Sequence, residues 1–276
     1  MTEDDRRVEV LQPRHAPVNC TERAGKSNSV TGWIDMERGG VLARWTSDFD
    51  CGYETNWWWV IKDTPFDISA LKAKRRYEIR KGQRNFEVRQ IQPAEFTDEL
   101  LRVQIAAFSA YPDKYRPNVD KCHFINDVKQ NWGDRLVYGA FNRETGNLSG
   151  YAWLTVFDTY ANFNVLKTDP KDERLAINAA IVYKIIGDFD RRLREGFFIV
   201  DGERSISHET AFQDYLEKYF DFRKAYCELN VIYKPVMNAV VKSLFPIRKL
   251  LNRFDNNKAL HSVNAVLKME EIRRGI

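Results

Sequence analysis

Residues 161–200 read ANFNVLKTDPKDERLAINAAIVYKIIGDFDRRLREGFFIV, and this stretch decides the fold. It opens on a strand candidate, Ala161–Leu166, and closes on a short apolar run, Phe197–Val200. Between them, after Thr168-Asp169-Pro170, residues 176–193 place Ile177, Ala180, Ile181, Ile185 and Phe189 on one helical face. The stretch predicts strand, helix, strand, with a turn at Asp201-Gly202.

Downstream, a helix is expected over about 209–219 and a strand over 226–233. Upstream, strands are expected over 135–141 and 148–160, joined by a turn at Glu144-Thr145-Gly146-Asn147. Helical patterns precede them, one over 96–111 and one carrying Phe124, Ile125, Val128 and Trp132. Before those comes a half-buried strand, 86–91. Asp67 predicts the cap of a helix from Ile68 to about Lys81, stopped by Gly82. The order is strand, helix, helix, three strands, helix, strand, helix, strand. Simple alternation would give a doubly wound sheet; a three-strand run between helical segments does not. Further upstream, Gly32-Trp33-Ile34, Val41–Trp45 and Trp57–Ile61 carry strand signals. The three consecutive tryptophans read as a strand packed on both faces or as a stacking platform for a ligand. Residues 1–28 are polar and read as loosely ordered.

The chain has 276 residues, 43% of them apolar and 30% charged, enough for a substantial core. No uncharged apolar stretch approaches the length of a membrane span, and the polar start MTEDDRR does not read as a secretory signal. A cytoplasmic protein is expected. Cys20, Cys51, Cys122 and Cys227 are far apart, as are His15, His123, His208 and His261, so no metal site is expected and the thiols read as reduced. The net charge of +4 is uneven. Residues 71–90 hold eight basic and two acidic side chains, and residues 234–276 hold nine and three. Two positive fields favour an anionic partner: phosphate, membrane surface or nucleic acid.

Thr210-Ala211-Phe212-Gln213-Asp214-Tyr215-Leu216-Glu217-Lys218-Tyr219-Phe220-Asp221-Phe222-Arg223 resembles the helix and following Gly-Phe-Arg turn of GNAT acyltransferases, with Asp221 where that family has glycine. The order of elements is also the GNAT order. The segment from Leu71 to Gly82 and the strand after it are similar to the opening of a GNAT-like unit in Fem-type aminoacyltransferases. The resemblance covers about residues 86–235. It implies an α/β (α+β) fold, a GNAT-like mixed central sheet flanked by helices. Around it stand an N-terminal segment, 1–85, with a β-rich extension and a basic helix, and a basic amphipathic helical tail, 236–276. It also points to bacterial surface-polysaccharide pathways.

In that fold two parallel strands splay apart and a donor's pantetheine arm enters the gap; here the pair would be Ala161–Leu166 and Phe197–Val200. The donor pyrophosphate would sit at 167–178, held by Lys167, Lys171, Arg174 and Asn178. Acyl-CoA is one donor, aminoacyl-tRNA another. The loop lacks the family's glycines, with Ile177 and Ala179 in their places. Asp169, Asp172 and Glu173 could cap the helix instead. Catalytic candidates are Asp201, Glu203, His208 and Tyr215, as base and acid for transfer to an amine. Ordinary turn, cap and packing roles are the alternatives for each. The acceptor would be a small molecule or a lipid-linked glycan. The 72–84 cluster reads as a solvated helix face or as a contact for phosphate on a polyprenyl carrier, tRNA or donor. The tail repeats apolar residues at helical spacing, broken by Pro246. It could lie on an anionic membrane, pack on the domain or pair two subunits in a homodimer. Transferase, Fem-type transferase and non-catalytic binding module all remain open at this level.

Overall fold

β-branched and aromatic residues dominate the segments that zip into sheet, and the helices between them carry apolar stripes, as the periodicities require. The computed structural model describes residues 41–111, 116–206, 211–252 and 258–276. The strand signal at Gly32-Trp33-Ile34, Cys20, His15 and His208 lie outside them. In chain order the elements are β1 (Leu42–Ser47), β2 (Trp57–Lys62), α1 (Ala73–Asn85), β3 (Phe86–Gln90), α2 (Thr97–Ser109) and α3 (Lys121–Asn131). Then follow β4 (Leu136–Asn142), β5 (Leu148–Val156), β6 (Tyr160–Thr168), α4 (Ile177–Arg194), β7 (Phe198–Glu203) and α5 (Ala211–Phe220). The chain ends with β8 (Arg223–Tyr233), α6 (Pro235–Leu244), α7 (Arg248–Leu251) and α8 (Lys258–Arg273). The fold is the GNAT-like mixed α/β arrangement that the order of elements predicts.

Two compact units divide the chain. The first holds Val60–Gly202 and Phe212–Arg223. In it β3, β4, β5 and β6 pair antiparallel in sequence, and β7 joins β6 in parallel. One face of this sheet is covered by α2 and α3. There Leu100, Val103, Val128, Trp132, Leu148 and Tyr151 form a buried cluster. The other face carries α4, whose Ile177, Ile181, Ile185 and Phe189 are buried. Phe66 links α4 to α5, with its ring 6.2 Å from Tyr183 and 5.5 Å from Phe220.

Two glycines set how closely α4 approaches. A Cβ on Gly150 of β5 would stand 2.9 Å from Ile177 Cδ1. One on Gly82 would stand 2.5 Å from the Ala176 carbonyl oxygen and 3.0 Å from Ala180 Cβ. This corrects the expected helix 68–81. Asp67 caps only a 3-10 turn, Ile68–Ala70, with its carboxylate accepting from Ser69 N. The α-helix begins at Ala73 and runs through Gly82 to Asn85. Gly82 is a contact point inside it, not its end. The strand expected over 148–160 ends early, at Val156, and the next begins at Tyr160 rather than Ala161. A tight turn at 157–159, closed by Phe157 N donating to Tyr160 O at 2.8 Å, separates β5 from β6.

The second unit holds the described residues of Met1–Trp59, Glu203–Ala211 and Lys224–Ile276. Strands β1 and β8 pair antiparallel from Leu42↔Tyr233 to Ser47↔Glu228. Trp57 and Trp59 are buried, and both indole N–H groups donate to Thr46 Oγ1. The Arg204 and Lys224 side chains lie 4.5 and 4.4 Å from the Trp58 ring centre. The tryptophan run is packed on both sides, its middle ring covered by two cations. Glu270 of α8 accepts from Tyr233, Arg273 and Arg274. Pro246 ends α6 as expected, inside the 3-10 turn Phe245–Ile247.

Candidate active site

The parallel pairing of β6 with β7 comprises Tyr160↔Phe198, Ala161↔Ile199 and Asn162↔Val200, and goes no further. Beyond it β6 continues through 163–168 and β7 through Asp201 and Gly202. A change of register lies at the same level on the other edge of β6. Its register against β5 jumps between Trp153↔Val165 and Leu154↔Phe163, leaving Asn164 as an extra residue. The Asn164 carboxamide oxygen accepts from Thr155 N at 3.1 Å and from Thr155 Oγ1 at 3.2 Å, which fixes the bulge. A bulge bends its strand and sharpens the twist, here just where β6 parts from β7. Past Asn162↔Val200 the two strands are no longer paired with each other, a fork whose β6 arm is the candidate contact for an extended ligand. These are the two neighbouring strands of the expected pair, but Phe198–Val200 stay paired with 160–162, and the unpaired part lies beyond them.

Asp201 is the first residue of β7 past the last pair, and Phe163 is its counterpart on β6. Helix α5 closes over both: the Phe212 ring stands 5.9 Å from the Phe163 ring, and Gln213 hydrogen-bonds the Asp201 carboxylate. Burial pushes the Asp201 carboxyl up to about 8, against the opposing pull of Gln213. Near neutral pH this acid holds its proton and gives it up only in mildly alkaline solution. Gln213 lies within the 210–223 segment that resembles the family's helix, but nothing in a glutamine's position marks it as an acid's partner.

Tyr215 is two residues beyond Gln213, so the two point to different sides of α5. Its ring stacks on Phe212 at 6.1 Å and meets Tyr219 at 5.2 Å. Burial, and then the charge of Glu78 on α1, raise its phenol well above the ordinary range. Arg75 spans this contact, 2.6 Å from Glu78 and with its guanidinium 3.3 Å from the Tyr219 ring centre. Tyr215 therefore stands toward α1, and Asp201 toward the fork. Glu203, farther along β7, is ion-paired with Arg44 of β1 in the second unit; burial raises its carboxyl against the pull of Arg44. His208 lies outside the described residues.

The four expected cofactor ligands do not converge. Lys167 faces α2, where its ammonium lies 3.2 Å from Tyr111 Oη and 4.8 Å from the Phe108 ring centre. Asn178 is turned to Thr168, whose hydroxyl donates to its side-chain oxygen at 3.3 Å. Lys171 and Arg174 are exposed on the 3-10 turn Pro170–Leu175. Asp169 caps that turn by accepting from Lys171 N at 3.1 Å. Ala176 then takes a left-handed conformation, φ 65° and ψ 39°, as the N-cap of α4. The residues fit only part of an acyl-CoA. The fork suits an extended arm, but the start of α4 is not a pyrophosphate cradle. No glycine frees the backbone there and Ile177 is wholly buried. Asp169, Asp172 and Glu173, which could have capped this helix, belong instead to the 3-10 turn before it, and α4 itself has no side-chain cap and no acid in its first turn. Helix α1 also covers this end through Gly82, and Asn85 Nδ2 donates to Leu175 O at 3.5 Å.

No protein-family profile matches the chain, and no curated protein matches its sequence. Solved structures do match. The C-terminal domain of a protein assigned as a lysylphosphatidylglycerol synthetase from Agrobacterium fabrum aligns with a TM-score of 0.44 at 14% identity, over 75% of this chain and 67% of that one. L-PGS from Bacillus licheniformis gives 0.45 at 14% identity, over 77% and 68%. FemX gives 0.44 at 9% identity, over 63% and 60%. This chain thus spans about two thirds of their length or less. At such distances the likeness is one of fold, and no donor or acceptor carries over. The GNAT-like assignment stands on the strand order, the bulge and the fork.

Proposed function

We propose that this chain is a GNAT-type acyltransferase that moves an acyl or aminoacyl group onto an amine of a sugar or cell-envelope precursor. The observation that carries the reading is the fork, with a carboxyl of raised pKa at its base. An extended donor arm lies along β6 as an added strand, its amides paired with the main chain of 163–168. Its acyl carbon then sits at the base of the fork, beside Asp201. The acceptor nitrogen attacks that carbon, a C–N bond forms, and the bond to the donor's leaving atom breaks. The nitrogen's proton passes to the Asp201 carboxylate, which hands it on to the leaving atom and is left ionised for the next turnover. Gln213 orients the carboxylate. A base titrating near 8 is matched to an amine acceptor. Tyr215 keeps its proton throughout and serves as a donor or packing group on the α1 side.

One feature favours an aminoacyl-tRNA donor over acyl-CoA. The covered start of α4 lies under α1, whose Lys72, Lys74, Arg80 and Arg84 are exposed. A basic helix face suits an extended polyanion better than a single pyrophosphate. The Fem-type resemblance points the same way.

Melting curves of the full chain with acyl-CoAs and with aminoacyl-tRNAs separate the donors, and transfer to an amine acceptor is then followed with the donor that shifts the transition. Asp201→Asn is expected to keep the shift and lose about 10²-fold or more in turnover. If neither donor shifts the transition, the donor-binding reading fails. A shift with no transfer, indifferent to Asp201→Asn, means a binding module instead.

A further inference from the structure

Helix α6 presents apolar side chains on both of its faces. Val241 and, one turn on, Phe245 are buried, while Val236 and Val240 on the opposite stripe are 79% and 43% exposed. Ala239 and Ser243 complete that outward stripe. Past the Pro246 turn the exposure continues, with Ile247 at 46% and Leu250 at 53%. A helix on a water-facing surface normally turns charged residues outward. Scattered exposed apolar side chains are ordinary, but a succession of four large ones on neighbouring turns marks an interaction surface.

The charges here select the partner. From residue 234 to 252 the chain has Lys234, Lys242, Arg248 and Lys249 and no acidic residue. Arg248 is held by Glu271 at 3.4 Å, whereas Lys242 and Lys249 are exposed beside the apolar stripe. Helix α6 has ten residues, a length of about 15 Å, half of the ~30 Å needed to cross a bilayer core but suited to lying in its interface. We infer that the α6–α7 face docks on an anionic phospholipid surface. Val236, Val240, Ile247 and Leu250 enter the acyl boundary, and Lys242 and Lys249 meet the headgroup phosphates. This surface belongs to the second unit and is independent of the transfer chemistry proposed above.

The full chain is sedimented with phosphatidylcholine vesicles and with vesicles containing about 30% phosphatidylglycerol, at low and high salt. Binding to the anionic vesicles alone, weakened by salt, is expected. The pairs Val236→Glu/Leu250→Glu and Lys242→Glu/Lys249→Glu should each lower it about tenfold or more. All four sites are exposed, so melting temperature and circular dichroism should stay as in the parent chain. Binding that ignores both pairs overturns the inference. So does the absence of vesicle binding, whether the chain is then monomeric or self-associates through this face.

Discussion

Asp201 stands at the point where two strands part, and its environment gives its charge state a measurable consequence. Its folded pKa of about 8 lies above the ordinary 3.8, so between those values the folded chain keeps a proton that the unfolded chain has lost. Stability should therefore fall as pH rises from about 4 to about 8, and Asp201→Asn should flatten that part of the profile. Urea unfolding below pH 3.8 and near pH 8 checks this: the substitution should stabilise the chain at the higher pH and change little at the lower. The same residue predicts that turnover rises with pH through about 8. How much of this the sequence could show is uneven. Asp201 follows the apolar run 197–200 in the sequence, which makes it conspicuous, but β7 runs on through it to Glu203, so the turn expected at Asp201-Gly202 is part of the strand. Gln213 was not legible, since its role exists only through a contact between distant segments. Asp221 was noted as a departure from a glycine, and the structure explains it. It takes φ 57°, which aspartate tolerates better than most residues, and its carboxylate accepts from the buried Lys62 ammonium at 3.0 Å. The cofactor candidates share one loop in the sequence, 167–178, but strand alternation and a 3-10 turn send Lys167 and Asn178 to opposite faces of the sheet.

Among the elements, the long helices and the strand–helix–strand unit at 161–200 were readable because period and length agree over many residues. Breaks were not. Phe157-Asp158-Thr159 carries two residues with strand propensity, and only the hydrogen bond and the Phe157–Tyr160 stack, 4.5 Å between rings, make it a turn. The Asn164 bulge leaves no composition signal, yet it lies where β6 and β7 part. Glycine commonly ends helices, but Gly82 sits inside α1 and lets it meet α4. Gly82→Ala should raise helix propensity and still destabilise the chain, because its Cβ would meet the Ala176 carbonyl. Overpacking of this kind costs about 1–3 kcal/mol, read as a lowered urea midpoint with unchanged slope. A stabilised variant would contradict the close approach of the two helices.

At the scale of the molecule, the two units answer acid and ligand differently. In the second unit burial alone would raise the Glu270 carboxyl, but hydrogen bonds from Arg273, Arg274 and Tyr233 outweigh it and bring it down to about 2. Its folded value is lower than the ordinary 4.5, so its stabilisation is present above that pH and lost as pH falls toward 2. Glu270→Gln should lower the melting temperature at pH 7 by several degrees and by much less near pH 2. In the first unit donor binding requires the fork to be open. Amide hydrogen exchange on β6 tests that most directly. The amides of 163–168 that point away from β5 should exchange at least about tenfold faster than those of 160–162, and should slow when the donor that shifts the melting transition is added. Equal protection along the whole of β6 without ligand, unchanged by any donor, would mean that the strands are closed and that this site does not exist.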